Sequence, residues 1–238
     1  MINRKQVIMY KGRPYTLNQI IEQFRRSWTI DGSAGDYQPI PNHIKDLKDI
    51  IKYAVEKAYL PSMRRAISIH SDNETPEEYK QIENSKKLAR GKCEMILQDE
   101  LLKLFTCHNL YNTLESFLDF EKEVTEHIRR VFTEEFDISN YTYGNAQKWL
   151  TIAIKYALSS SNLSSSYDDL FLVVAAPIDS IVIKRAYKMF KVKKPSTSWS
   201  NIDDFKTIKD FEISLKDKAS TNGFVSPLIW EILTWSVN

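Results

Sequence analysis

Over residues 146–158, Trp149, Leu150, Ile152, Ala153, Ile154, Tyr156 and Ala157 would cover most of the circumference of a helix. At about 100° per residue, Lys148, Thr151 and Lys155 fall together in one narrow polar stripe. A helix that is apolar on nearly all sides is normally buried. The rest of the chain must therefore wrap this segment, and the stripe must face a partner, a water-filled cleft or the surface.

The surrounding pattern is helical as well. Ile44, Leu47, Ile50, Ile51, Ala54, Val55 and Ala58 recur at helical spacing, and Pro61 is expected to end that element. Thr75-Pro76-Glu77-Glu78 reads as a cap, a proline at the first helical position and a reciprocal acid. The helix it opens is expected to run through Leu88, Met95 and Leu101 toward Phe105, and another carries Leu114, Phe117, Phe120, Val124, Ile128 and Val131. Helices are also expected over 180–190 and 202–218, with a final one from Pro227. Residues 6–10 and 14–16 flank Lys11-Gly12-Arg13 and predict a small hairpin, after which Thr16 and Gln19 form a capping box. Residues 29–42 read as a loop. Residues 159–166, six of them serine, read as a flexible connector. Six glycines in 238 residues leave little room for the tight turns of a barrel or sandwich. The expected fold is mainly α: one multi-helix globular domain over 1–238, divisible into lobes 1–135 and 136–238 with a cleft between, plus an N-terminal β-hairpin.

Thirty-three basic against 31 acidic residues leave a net charge of +2, so any affinity for nucleic acid must come from local clustering. Cys93 and Cys107 lack metal-ligand spacing and are expected to sit reduced in a core. His43, His70, His108 and His127 show no metal spacing either, and no phosphate-binding glycine loop is present. No cofactor and no metal are expected. With no secretory signal and with Leu170 to Ile178 as the longest apolar run, a cytoplasmic location and no membrane contact are expected.

Lys148 is expected in the first turn of its helix, where the dipole disfavours an ammonium, with Lys155 adding like-charge repulsion. Such surroundings favour an amine that acts as a nucleophile. Asp179 follows Pro177-Ile178 and falls at the N-cap of the 180–190 helix. Lys184, Arg185, Lys188, Lys191, Lys193 and Lys194 follow within eleven residues, a pattern suited to a phosphate backbone or, equally, to a solvated face balancing Glu121, Glu123, Glu126, Glu134 and Glu135.

The order of glycine turn, Lys148 on an apolar helix, variable connector and Pro177-Ile178-Asp179 resembles the helix-hairpin-helix DNA glycosylase superfamily. The likeness is closer to its archaeal 8-oxoguanine DNA glycosylase branch, in which lysine and aspartate are separated much as here, by 31 residues. The resemblance covers about residues 140–190. It implies that Lys148 attacks the sugar C1′ of an everted nucleotide in double-stranded DNA, as a Schiff-base nucleophile in base excision or DNA repair, with a following AP-lyase step available. It implies that Asp179 assists the proton transfers and stabilises positive charge. Lys155, Lys184, Arg185 and Lys188 would then bind DNA, and Trp199 and Gln147 would line the base pocket. Trp149, Trp230 and Trp235 are weaker pocket candidates, the last two being expected to pack the final helix. The wider superfamily's glycine-rich hairpin is reduced to Gly144, its iron–sulfur cysteines are absent, and residues 1–110 align with no member. Two readings stand beside this one. In the first, a monofunctional glycosylase, Asp179 stabilises the sugar cation and Lys148 binds phosphate. In the second, a non-enzymatic helical interaction module, from a phage-defence or mobile-element setting, Lys148 is a surface residue and Asp179 a plain cap.

Overall fold

The computed structural model describes residues 3–27, 40–41, 43–63 and 75–236. Its N-terminal hairpin pairs β1 (Val7–Tyr10) with β2 (Arg13–Thr16) antiparallel, with Tyr10 opposite Arg13. Lys11 and Gly12 both take positive φ, 49° and 75°, which matches the twist of a two-residue hairpin turn. Ile8 and Tyr10 face inward, and Val7 and Met9 face out. Thr16 then caps α1 (Leu17–Ser27): its hydroxyl accepts from the Gln19 amide at 3.2 Å, and Gln19 returns its side chain to the Thr16 amide at 2.8 Å.

The remaining long elements are α2 (Leu47–Met63), α3 (Pro76–Thr106), α4 (Leu114–Arg130) and α5 (Tyr143–Ser159). A short turn of helix follows as α6 (Leu170–Val173), then α7 (Ser180–Phe190), α8 (Phe205–Thr221) and α9 (Pro227–Ser236). The fold is therefore mainly α with a small β-hairpin, as the patterning predicts. Thr75 and Glu78 close the predicted capping box on α3. Three expectations need correction. Helix α2 continues past Pro61: near the helix end proline removes a single amide bond, the one to the Lys57 carbonyl, and Ser62 Oγ donates to the Ala58 and Tyr59 carbonyls at 2.9 and 2.7 Å within the last turn. Helix α3 runs through Leu88, Met95 and Leu101 to Thr106 as expected, with Ala89, Cys93, Leu97, Leu101 and Leu104 as its core stripe and Leu88 and Met95 exposed. The serine-rich connector is packed, with Ser160 and Leu163 buried and Asn162 Nδ2 donating to the Ile44 carbonyl at 2.9 Å. Cys107 is exposed; only Cys93 is in the core. The loop expected over 29–42 and the residue His70 lie largely outside the described residues.

Helix α5 is the centre of the molecule. It packs most extensively along α2, with α4 on another side. Trp149 meets Tyr59 edge-on at 5.0 Å and donates its indole N–H to the Val55 carbonyl at 3.0 Å. The buried residues form one hydrophobic cluster from Ile8 to Leu233, drawing on both halves of the chain.

The N-terminal unit is held to this core by charge. Asp168 is fully buried and takes two arginines, Arg4 and, at 2.7 Å, Arg25. Arg25 also reaches the Leu158 carbonyl, at the C-terminal end of α5. Removing a buried carboxylate leaves these guanidiniums without their partner. Asp168→Ala is expected to lower unfolding free energy by about 2–3 kcal/mol in urea denaturation; an unchanged midpoint would show that the pair contributes nothing.

Candidate active site around Lys148 and Asp179

Two segments build the site: α5 and the extended run 174–178 leading into α7. Thr142 caps α5 at the Asn145 amide, so the helix begins at Tyr143, earlier than expected. Lys148 is therefore the sixth helical residue, beyond the first turn where the dipole acts most strongly. The like-charge effect expected from Lys155 is offset too, because each lysine meets its own acid. Lys148 Nζ lies 3.6 Å from Asp179 Oδ2, the two side chains being 11% and 18% exposed. Lys155 Nζ lies 2.6 Å from Glu231 Oε1 on α9, both buried.

Asp179 divides its carboxylate between two tasks. Oδ1 accepts the Ile181 and Val182 amides, both at 2.8 Å, as the predicted N-cap of α7. Oδ2 is left toward the amine. The cap thus orients the acid without using the oxygen that faces Lys148.

The indole of Trp199 stands over the amine, its centroid 4.3 Å from Lys148 Nζ, within range of a cation–π contact. The loop carrying Trp199 is fixed to the start of α5. The Gly144 amide donates to the Ile202 carbonyl at 3.0 Å, and Thr142 Oγ1 donates to the Ser200 carbonyl at 3.0 Å. A Cβ on Gly144 would sit 1.8 Å from the Trp199 carbonyl oxygen. Gly144 is thus a glycine of close approach, and Trp199 forms a fixed wall over the amine.

The other candidate residues separate into distinct places. Lys184 and Lys188 are exposed on α7. Arg185 is half-buried and donates to the Thr234 carbonyl at 3.0 Å. Lys155 does not face a DNA backbone: it is inside, against Glu231. Nor does Gln147 line an open pocket. It is fully buried, and its amide is engaged by Ala176, Ile178 and Glu121. Trp230 is fully buried on α9, as expected for packing, and the Trp235 side chain lies outside the described residues.

Three further acids, for which the sequence suggests no site role, lie in or near the site. Glu121 on α4 and Glu212 on α8 are fully buried near the base of the site, and Glu231 neighbours Asp179. Burial pushes Glu121 up to about 8, with the Gln147 hydrogen bond opposing. Burial raises Glu212 further, Glu121 adding to it and the Ala176 backbone opposing. Burial also raises Glu231, with Lys155 opposing and Asp179 reinforcing. Among the described residues, no group of three or more His, Cys, Asp or Glu is placed to hold a metal ion, and no helix is long and apolar enough to cross a membrane.

No family model matches this chain, and no curated protein or solved structure matches it. The chemistry must be argued from the arrangement itself: a shielded primary amine, an acid 3.6 Å away held by a helix cap, and an aromatic wall.

Two outcomes follow. Gly144→Ala forces the Trp199 loop off α5 and is expected to cost about 2 kcal/mol or more in urea unfolding; a cost near zero would contradict the close contact. Glu121, pushed up to about 8, holds a proton in the folded state that the unfolded chain, near 4.5, releases. Its contribution is fully present below the unfolded value and is lost as pH rises through about 8. Glu121→Gln should therefore stabilise relative to wild type by about 1–3 kcal/mol at pH 8 and by much less at pH 5. Equal thermal shifts at both pH values would show that Glu121 is not held neutral.

Proposed function

We propose that this protein is a DNA glycosylase that removes a damaged or modified base through Lys148, with Asp179 as its acid–base partner. The observation that supports it is the approach of Lys148 Nζ to Asp179 Oδ2 at 3.6 Å, from two otherwise apolar elements, with the second carboxylate oxygen tied to α7. An amine beside a fixed acid suits substitution at a sugar carbon, where one group must lose a proton as it bonds and another must handle that proton.

In this reading the target nucleotide is everted from duplex DNA, since the glycosidic bond is inaccessible in the stack. Asp179 Oδ2 takes a proton from the Lys148 ammonium. The amine electron pair forms the Nζ–C1′ bond while the C1′–base bond breaks, its electron pair leaving with the base, which is protonated. Nζ then loses a second proton as the C1′–O4′ bond opens, O4′ taking that bond's electron pair and a proton, and an imine results. Water hydrolyses the imine and returns the amine. Alternatively, loss of the C2′ hydrogen, acidified by the imine, expels the 3′ phosphate and cleaves the strand. Exposed Lys184 and Lys188 meet the phosphates. From Ser180 to Ile202 there are six basic residues and no acidic one, which suits a polyanion. The resemblance of residues 140–190 to helix-hairpin-helix glycosylases points the same way.

A second reading has one observation in its favour. Lys148 and Lys155 each carry a shielded ion pair, and such pairs also occur with no role beyond packing. The protein would then be a helical interaction module.

Borohydride trapping separates the two. Wild type is mixed with duplexes bearing an abasic site or a panel of oxidised, deaminated and hypermodified bases, then reduced. The expected result is a covalent protein–DNA band that Lys148→Ala lacks, while Asp179→Asn forms it about 100-fold more slowly with DNA affinity retained. No band from wild type on any duplex, or an equal band from Lys148→Ala, would overturn the proposal.

A further inference from the structure

Asp179 lies 31 residues from Lys148, at the end of an extended segment containing Pro177. Proline offers no amide, so beside its own carbonyl the segment is anchored by the flanking Ala176 carbonyl and Ile178 amide. Both are taken by one side chain. Gln147 Nε2 donates to the Ala176 carbonyl at 3.1 Å, and the Ile178 amide donates to Gln147 Oε1 at 3.0 Å. The second Nε2 proton goes to Glu121 Oε1 at 3.3 Å. Only this orientation of the amide fits. Rotated by 180°, it would set its oxygen against the Ala176 carbonyl and its NH2 against the Ile178 amide.

We infer that Gln147 is a positioning residue for the Lys148–Asp179 couple. It clamps the backbone on both sides of Pro177, so that the α7 cap presents Asp179 Oδ2 to the amine borne by the next residue of α5. The inference rests on the roles proposed for Lys148 and Asp179. Because Gln147 and Lys148 are adjacent on one rigid helix, a single turn of α5 carries the amine and also sets the distance to its acid. Glu121, fully buried behind the amide, presents an acceptor that keeps it from rotating. Glu212 is fully buried beside Glu121 and close to the Ala176 backbone, and so encloses the same polar island. Water outside does not compete for these bonds, since Gln147, Ala176 and Ile178 are all fully buried. Within this island the Gln147 amide has both its donors and its acceptor engaged, which holds it in a single geometry.

A merely structural role for Gln147 predicts lower stability and nothing more. A positioning role predicts a split between rate and affinity. Gln147→Leu, checked by cooperative thermal unfolding above the assay temperature, is mixed with a duplex bearing an abasic site. Affinity is read by fluorescence anisotropy and adduct formation by timed borohydride quenching. The expected result is a dissociation constant within about threefold of wild type and an adduct rate constant lower by about 10- to 100-fold. An unchanged rate constant in the folded variant overturns the inference. If the leucine variant fails to fold, Gln147→Glu keeps the acceptor for Ile178 and loses the donors, and the same split is read from it.

Wild type that forms no adduct would count against the proposed function itself, and amide hydrogen exchange then decides the clamp separately. In the glutamine variant the Ile178, Ile181 and Val182 amides should exchange at least about tenfold faster, with core amides of α3 such as Leu97 and Leu101 unchanged. Unaltered exchange at the three cap amides overturns the clamp whatever the enzyme does.

Discussion

A helix enclosed by apolar neighbours must find partners for the polar side chains it carries, and α5 carries six with little access to water: Asn145, Gln147, Lys148, Thr151, Lys155 and Ser159. Much of the polar organisation near the centre of the molecule answers that demand. Thr151 turns its hydroxyl back to the Gln147 carbonyl at 2.8 Å. Lys155 is met by Glu231 from α9, Lys148 by Asp179 from the α7 cap, and Gln147 by the backbone around Pro177. The same contacts that satisfy α5 therefore fix α7 and α9 upon it. Packing and site geometry have one cause.

The two lysine pairs are not equivalent. Lys155 and Glu231 approach within 2.6 Å and both are enclosed, which is the geometry of a structural pair. Lys148 and Asp179 are farther apart and somewhat more exposed, and the acid shares its charge with two backbone amides. The Trp199 ring occupies one side of the Lys148 amine, and its loop packs directly against Gly144. A nucleotide would have to arrive from the side that the indole leaves open.

Local chemistry was readable where a few neighbouring residues decide the outcome. The Thr75 and Thr16 boxes and the Asp179 cap are such cases, and so is the burial of α5. Expectations failed where distant residues decide. Asn162 of the serine-rich connector is anchored by the Ile44 carbonyl, 118 residues away in sequence, a contact with no local signature. The missed acids are different, because their signal was present. Glu121 shares a stripe with Phe117, Val124 and Ile128, and Glu212 with Ile208 and Leu215, so helical phase alone places both inward. Reading them by residue type as solvated charges overlooked that phase. Glu231 and Lys155 lie on different helices 76 residues apart, and only the tertiary crossing of α5 and α9 joins them.

The central claim is that one amine of this chain, and not its neighbour on the same stripe or the lysines of the exposed face, bonds to the sugar. Tandem mass spectrometry of the borohydride-reduced, nuclease-trimmed adduct locates the bonded residue directly. The account predicts a deoxyribose-derived mass on Lys148 alone; the same mass on Lys155, Lys184 or Lys188, or spread over several lysines, would contradict it.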